Sequence, residues 1–225
     1  MKIPCLAIAF SFLCSFGVSA QIGIVGSFQT FKAGDWEKLI LQDLPNQSGL
    51  YPIYGYGIGI DYWFRLKKRR IEFTPELSYS HLDGSFDGIT AKHDLLSFFF
   101  FTNVYPFDLA SDCDCPVWSK EGNFFSRGFF LQLAPGASYL HSDTSEKDIF
   151  PDAGNNLILG GAIGAGLDLG LSDFLTVTPV ARFYFYPKAT WDNTAAPGNA
   201  DTNIQQFFAG LKISFRWDRG KGFRR

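Results

Sequence analysis

Eight charged residues stand at alternate positions in segments otherwise rich in small, aromatic and aliphatic residues: Asp61, Arg65, Glu72, Glu76, Asp168, Arg182, Lys212 and Arg216. Charges of both signs on one face allow two kinds of chemistry. Packed away from water they must be paired or hydrogen-bonded, which makes a salt-bridged filling. Left open, they line a gated polar path for a small solute. Breaking one partner of a dry pair is expected to cost about 3–5 kcal/mol.

Other residues could carry chemistry. The three histidines, His81, His93 and His141, could hold a metal at a rim or serve a lipid-modifying hydrolase. No tight ligand spacing joins them, so they are read as rim residues, with neither catalytic role nor bound metal. Cys113 and Cys115, one residue apart, could close a strained ring, bind a soft metal or stay free. An oxidising compartment favours the disulfide, and a metal site would need two further ligands. The run Gly160-Gly161-Ala162-Ile163-Gly164-Ala165-Gly166 resembles a nucleotide loop only superficially. Such a loop needs a helix after it, whereas this run lies inside a strand pattern. Its glycines are expected to leave room for large neighbours such as Trp63, Tyr184 and Phe208. Lys67-Lys68-Arg69-Arg70 is read as a solvated turn, not a polyanion patch. No cofactor is expected.

The elements that position these residues show a period of two. Over 53–65, Tyr54, Tyr56, Ile58, Ile60, Tyr62 and Phe64 alternate with Gly55, Gly57, Gly59, Asp61, Trp63 and Arg65. The same split recurs over 71–82, 157–171, 175–186 and 206–217, and less strictly over 21–32 and 129–141. Segment 95–107 is apolar on both faces. The count is eight strands. At about 12 residues each, tilted by roughly 40°, they would reach about 30 Å along a barrel axis, enough for an apolar belt of roughly 25 Å.

Residues 1–20 have Lys2 at the start, an apolar run over 5–18 and small residues at Val18-Ser19-Ala20. That is the pattern of a cleavable signal peptide. Removing Lys2 from the 20 basic residues leaves 19 against 22 acidic, a net charge of −3, so no nucleic-acid partner is expected. Beyond residue 20 no clean stretch of 18 apolar residues occurs. In a membrane this chain must therefore be a closed barrel, because only helices and closed barrels satisfy every backbone group in lipid. Such a barrel of eight strands is just wide enough to be filled by its own side chains, which favours the packed reading of the interior charges.

Turns 67–70 and 172–173 are tight, whereas 33–52, 83–91, 142–156 and 188–202 are longer and polar. Both termini are thus expected on the short-turn, periplasmic side, with 108–128 as a long connection on that side. Trp36, Leu39, Ile40 and Leu44 have helical spacing and predict a short cap helix. Thr74-Pro75, Ala134-Pro135 and Thr178-Pro179 fall midway in strands three, five and seven and suggest a recurring bulge.

The signal segment, eight alternating strands, mid-strand prolines and a final strand with Ile213, Phe215 and Trp217 resemble the small outer-membrane β-barrels common in Bacteroidota, relatives of the OmpA- and OmpX-like barrels. The resemblance spans the mature chain and implies an all-β, eight-stranded antiparallel transmembrane up-and-down barrel over 21–217, with a short tail over 218–225. It implies outer-membrane lipid as surroundings and no assigned activity. The leading expectation is a non-enzymatic structural or accessory subunit that binds another outer-membrane or periplasmic protein through its outer loops or the Cys113–Cys115 connection. A narrow pore for small or apolar solutes is the alternative, and a lipid-modifying enzyme the second.

Overall fold

The computed structural model describes residues 21–41, 49–66, 69–109, 124–145, 147, 153–172, 174–191 and 200–216. Segment 1–20, Cys113, Cys115 and the tail from Trp217 lie outside the described residues. The chain forms β1 (Gln21–Lys32), α1 (Gly34–Ile40), β2 (Ile53–Arg65), β3 (Ile71–Phe86), β4 (Ile89–Val104), α2 (Phe124–Gly128), β5 (Phe129–Thr144), β6 (Gly154–Leu167), β7 (Leu169–Gly170), β8 (Leu175–Trp191) and β9 (Ala200–Arg216). All neighbouring strands are antiparallel. β1 pairs with both β2 and β9, and β6 pairs with both β5 and β8, so the sheet closes on itself and has no edge. β7 continues β6 against β8 in the same register, as Gly166↔Val180 and Leu169↔Val177 show. The ring therefore has eight staves, the up-and-down barrel that the alternation predicts.

The pleat turns one set of side chains out and the other in. Ile58, Ile60, Leu77, Leu96, Phe98, Leu133 and Leu159 are exposed on the outside, while Asp61, Glu76, Arg182 and Lys212 are buried inside. This is the inside-out pattern of a barrel made for lipid. Toward the end that carries 33–52 and the β3–β4 turn, the loop end, the pattern reverses. Along β4, Ile89, Ala91, His93 and Leu95 point inward and are buried, while Thr90 and Lys92 are exposed. Along β9, Ala200, Thr202 and Ile204 are buried, and Asn203 and Gln205 are exposed.

This reversal corrects several strand bounds. Residues 83–91, expected as a long loop, are two extended strand ends joined by Asp87-Gly88, both at positive φ (49° and 84°). An Asp-Gly pair suits that two-residue turn, because glycine and aspartate tolerate the left-handed region. Much of 188–202 is likewise strand.

The mid-strand prolines sit in gaps rather than bulges. Asp61 pairs with Glu76 and Phe64 with Phe73, in one register but with two pairs missing beside Pro75. The same happens between Phe99↔Gly136 and Thr102↔Leu133, beside Pro135. It happens again opposite Pro179, between Gly166↔Val180 and Leu169↔Val177. A proline has no N–H to donate, so the ladder skips it without slipping. The one register shift recorded for β8 and β9 lies between Tyr186 and Ala189.

Helix α1 forms where the helical spacing predicts one. It buries Trp36 and Ile40 over the loop-end mouth, and the Trp36 indole N–H donates to the Ala200 carbonyl at 2.8 Å.

Candidate functional site: the barrel interior

Six of the eight charges singled out from the sequence have described side chains. Arg65 and Arg216 lie in β2 and β9, and their side chains lie outside the described residues. In mid-barrel, the Arg182 guanidinium meets the Glu76 carboxylate at 2.7 Å, donates from Nε to Gln132 at 3.0 Å and lies 4.0 Å above the Phe101 ring. Gln132 donates on to Asn103 at 2.8 Å, and Asn103 to Thr74 at 3.0 Å. Lys212 reaches Asp61 at 3.2 Å. The strands bring these partners together because their inward positions face one another across the lumen, even where 106 residues separate them in sequence.

Toward the end opposite the loop end, Glu72 and Asp168 join a second cluster. The Tyr105 phenol lies 2.7 Å from Glu72 and 2.6 Å from Asp168, so its single proton serves two carboxylates. Trp63 donates to Glu72 at 2.5 Å, and Thr178 to Asp168 at 2.7 Å. Arg70 stacks on the Tyr105 ring at 3.7 Å, pairs with Asp108 at 2.5 Å and donates to the Arg127 carbonyl. Burial opposes its charge, but Tyr105, Glu72, Asp168 and Asp108 outweigh that and raise its pKa. Burial first, then Asp168 and Glu72, push the Tyr105 phenol well above its ordinary value. Arg70 thus corrects the reading of 67–70 as wholly solvated, since it is buried while Arg69 is exposed.

The upper interior is aromatic. Phe99, Tyr184 and Phe208 pack edge to face, at 4.9 Å for Phe99 with Tyr184 and 6.0 Å for Tyr184 with Phe208. Above them Ser97, Ser138 and Tyr186 form a hydroxyl chain with contacts of 2.7 and 2.8 Å. His93 sits at the top with no exposed surface, stacked 4.4 Å from Phe31. The Tyr51 hydroxyl lies 2.7 Å from its Nε2 and the Ser142 hydroxyl 2.8 Å from its Nδ1. Trp36 and Trp191 close the cage at 5.8 and 6.3 Å.

The histidines lie in adjoining cross-strand rows but are split by the barrel wall. His81 and His141 face outward in the row Tyr56↔His81↔Asp94↔His141↔Asn155. His81 contacts Asp94 at 2.7 Å and His141 contacts Asn155 at 2.8 Å, whereas His93 points inside. They are not one grouped site.

The inward glycines make room, as expected, but for different neighbours. A Cβ on Gly160 would meet Tyr186 at 2.6 Å, on Gly164 the Ala181 carbonyl at 2.7 Å and Arg182 at 2.9 Å, and on Gly166 Phe130 at 2.3 Å. Sequence reasoning missed Tyr105, Asn103 and Gln132. Asn103, Tyr105 and Gln132 all stood at inward positions of the expected segments 95–107 and 129–141 and were readable there.

No known protein family's profile matches the sequence, and no curated protein matches it. Among solved structures the chain is similar to Neisserial surface protein A, with 8% identity, a TM-score of 0.49 and coverage of 88% of this chain and 97% of that one. It is similar to Ail of Yersinia pestis, with 12% identity, a TM-score of 0.43 and coverage of 89% and 100%. It is also similar to the outer membrane protein OprG from Pseudomonas aeruginosa, with 11% identity, a TM-score of 0.43 and coverage of 89% and 97%. The likeness is one of fold, to small outer-membrane barrels. Assignment to the Bacteroidota family is not supported by it.

Proposed function

We propose that this protein is a sealed, non-enzymatic barrel of the bacterial outer membrane that acts as a structural or accessory subunit and meets partners at its two ends. The observation that carries the reading is the filled interior. Arg182 with Glu76 and Lys212 with Asp61 lie across the lower lumen, the Phe99–Tyr184–Phe208 layer lies above them, and His93 under Trp36 closes the top. Each layer is buried and internally bonded, which leaves little for a solute to follow. Eight staves leave no spare width to bypass them.

The outward belt supports lipid as the surroundings, and the polar residues above it, among them His81, Asp83, Lys92 and Asp94, suit the headgroup layer and the solvent beyond. Gln21 and Arg216, where β1 and β9 meet, lie beside Trp63 at the end of the β2–β3 turn, which by the usual arrangement faces the periplasm. A partner protein would then meet the loop end around α1, or the connection that carries Cys113 and Cys115.

Planar-bilayer recording tests the reading. The purified barrel is expected to insert, as shown by heat-modifiable mobility, and to give no unitary conductance. Steady single-channel steps would favour the narrow-pore alternative and overturn the proposal.

A further inference from the structure

The loop-end mouth is shut over a histidine. His93 has no exposed surface, and its ring lies 4.4 Å from Phe31, 5.8 Å from Trp36, 5.9 Å from Tyr51 and 6.3 Å from Trp191. Two of these four belong to the cover: Trp36 stands on α1, and Tyr51 follows it in the connection to β2. The cover is tied to β9 by Trp36 on the Ala200 carbonyl and by the Asp35 amide on the Thr202 hydroxyl at 3.3 Å. Glu37 holds it together, accepting from the Gly49 and Tyr51 amides at 2.9 and 3.2 Å.

This cage suits the neutral imidazole. A neutral ring has one N–H to donate and one lone pair to accept. The Ser142 and Tyr51 hydroxyls, 2.8 and 2.7 Å from its two nitrogens, serve one each. An imidazolium donates from both nitrogens, so the hydroxyl that had donated loses its acceptor inside a dry cage. Among the described residues no carboxylate touches the ring. Asp94 and His141 act on it from the outer face of the wall, with opposite signs, and His81, Asp83 and Lys92 face outward beside them. Asp35 with Lys38, Asp143 with Lys147 and Asp201 with Lys188 are solvent-facing pairs around the mouth. Burial outweighs Asp94 and holds the imidazole pKa down to about 3.

We infer that His93 is an acid trigger for the lid: a proton on its ring lifts α1 and uncovers the cage. The closed mouth excludes a proton that the uncovered ring takes up below about pH 6.5. Closure is therefore at full strength above that pH and weakens as the pH falls toward the value of the caged ring. Opening should rise about 30-fold between about pH 7.5 and about pH 5. Stopping there leaves ordinary carboxylates charged. The trigger acts at the mouth alone, so it stands whether or not the lumen conducts.

Hydrogen exchange of the full chain refolded in detergent tests this. The amides to follow are Glu37 and Leu41, which bond to the Ala33 and Glu37 carbonyls along α1. Their protection, corrected for the intrinsic pH dependence of exchange, is expected to fall about 30-fold over that range in wild type. His93→Gln should show no such fall. Should it leave α1 open throughout, His93→Phe fills the cage with a ring that cannot titrate. The chain has three histidines, and His81→Gln combined with His141→Gln should keep the full slope. That double variant decides if both His93 variants stand open. A flat wild-type profile overturns the trigger, as does a slope that persists without His93 or vanishes with the outer pair. Equal loss of protection in the belt strands shows acid unfolding of the whole barrel and overturns it as well.

Discussion

The lower and upper parts of the barrel obey opposite rules. In the belt, hydrocarbon faces out and charge faces in: Leu96 and Phe98 are exposed while Glu76 and Arg182 are buried. A few residues further along the same strands, polar side chains face out and Leu82, Leu95, Leu140 and Ile204 face in, as in a soluble protein. The backbone ladder runs unbroken through the change. Strand geometry is therefore indifferent to the solvent, and the surroundings decide only which face takes which side chain. The lower interior must satisfy buried charge, a task of exact partners. The upper interior packs rings and aliphatic groups, a task of shape.

The largest expected effect attacks the first task. Arg182→Met strands the Glu76 carboxylate in a dry interior and should cost about 3–5 kcal/mol, read by urea unfolding in phospholipid bilayers. Removing both partners, as in Arg182→Met with Glu76→Leu, should recover most of it. No recovery would mean that Gln132 and Phe101, not the ion pair, set the cost.

The next effect tests where the reversal falls. Leu133→Arg, in the belt, should destabilise by about 2–4 kcal/mol in a bilayer, as charges on a lipid face do near the midplane. Asp83→Arg, beyond the reversal, should stay within about 0.5 kcal/mol. Equal costs at the two positions would erase the distinction between the regions.

The smallest effect concerns the lid. Trp36→Ala should cost no more than about 3 kcal/mol, the low end for a buried tryptophan, because α1 can lift without opening the ring. Limited proteolysis is expected to cut within 33–52 faster than in wild type while the barrel stays folded. Loss of the whole barrel would show that the lid and the ring unfold together.

The belt was legible in the sequence because period two with apolar residues outside is visible along 53–65 and 175–186. The reversed part was not. At Asp83, Thr90 and Lys92 the outward residues are polar, and polar residues near Gly84 and Gly88 read as loop. Which residues face the lumen could also be read, yet the pairing could not. Glu76 meets Arg182 because of where β3 and β8 stand in the ring, and no local spacing encodes that. Arg70 was hidden for a related reason: a run of four basic residues reads as solvent-facing, and it is Asp108, the Arg127 carbonyl, Glu72 and the Tyr105 ring, all outside the run, that draw its last member in.

The three prolines carry a consequence for how the wall is put together. The skipped pairs fall on three of the eight seams, those joining β2 to β3, β4 to β5 and β6 to β8. Between them stand the hairpin of β3 and β4, the hairpin of β5 and β6, and a four-strand panel of β8, β9, β1 and β2. The wall is thus divided by its proline gaps into three panels, and the one in which β1 pairs with β9 is the broadest of them.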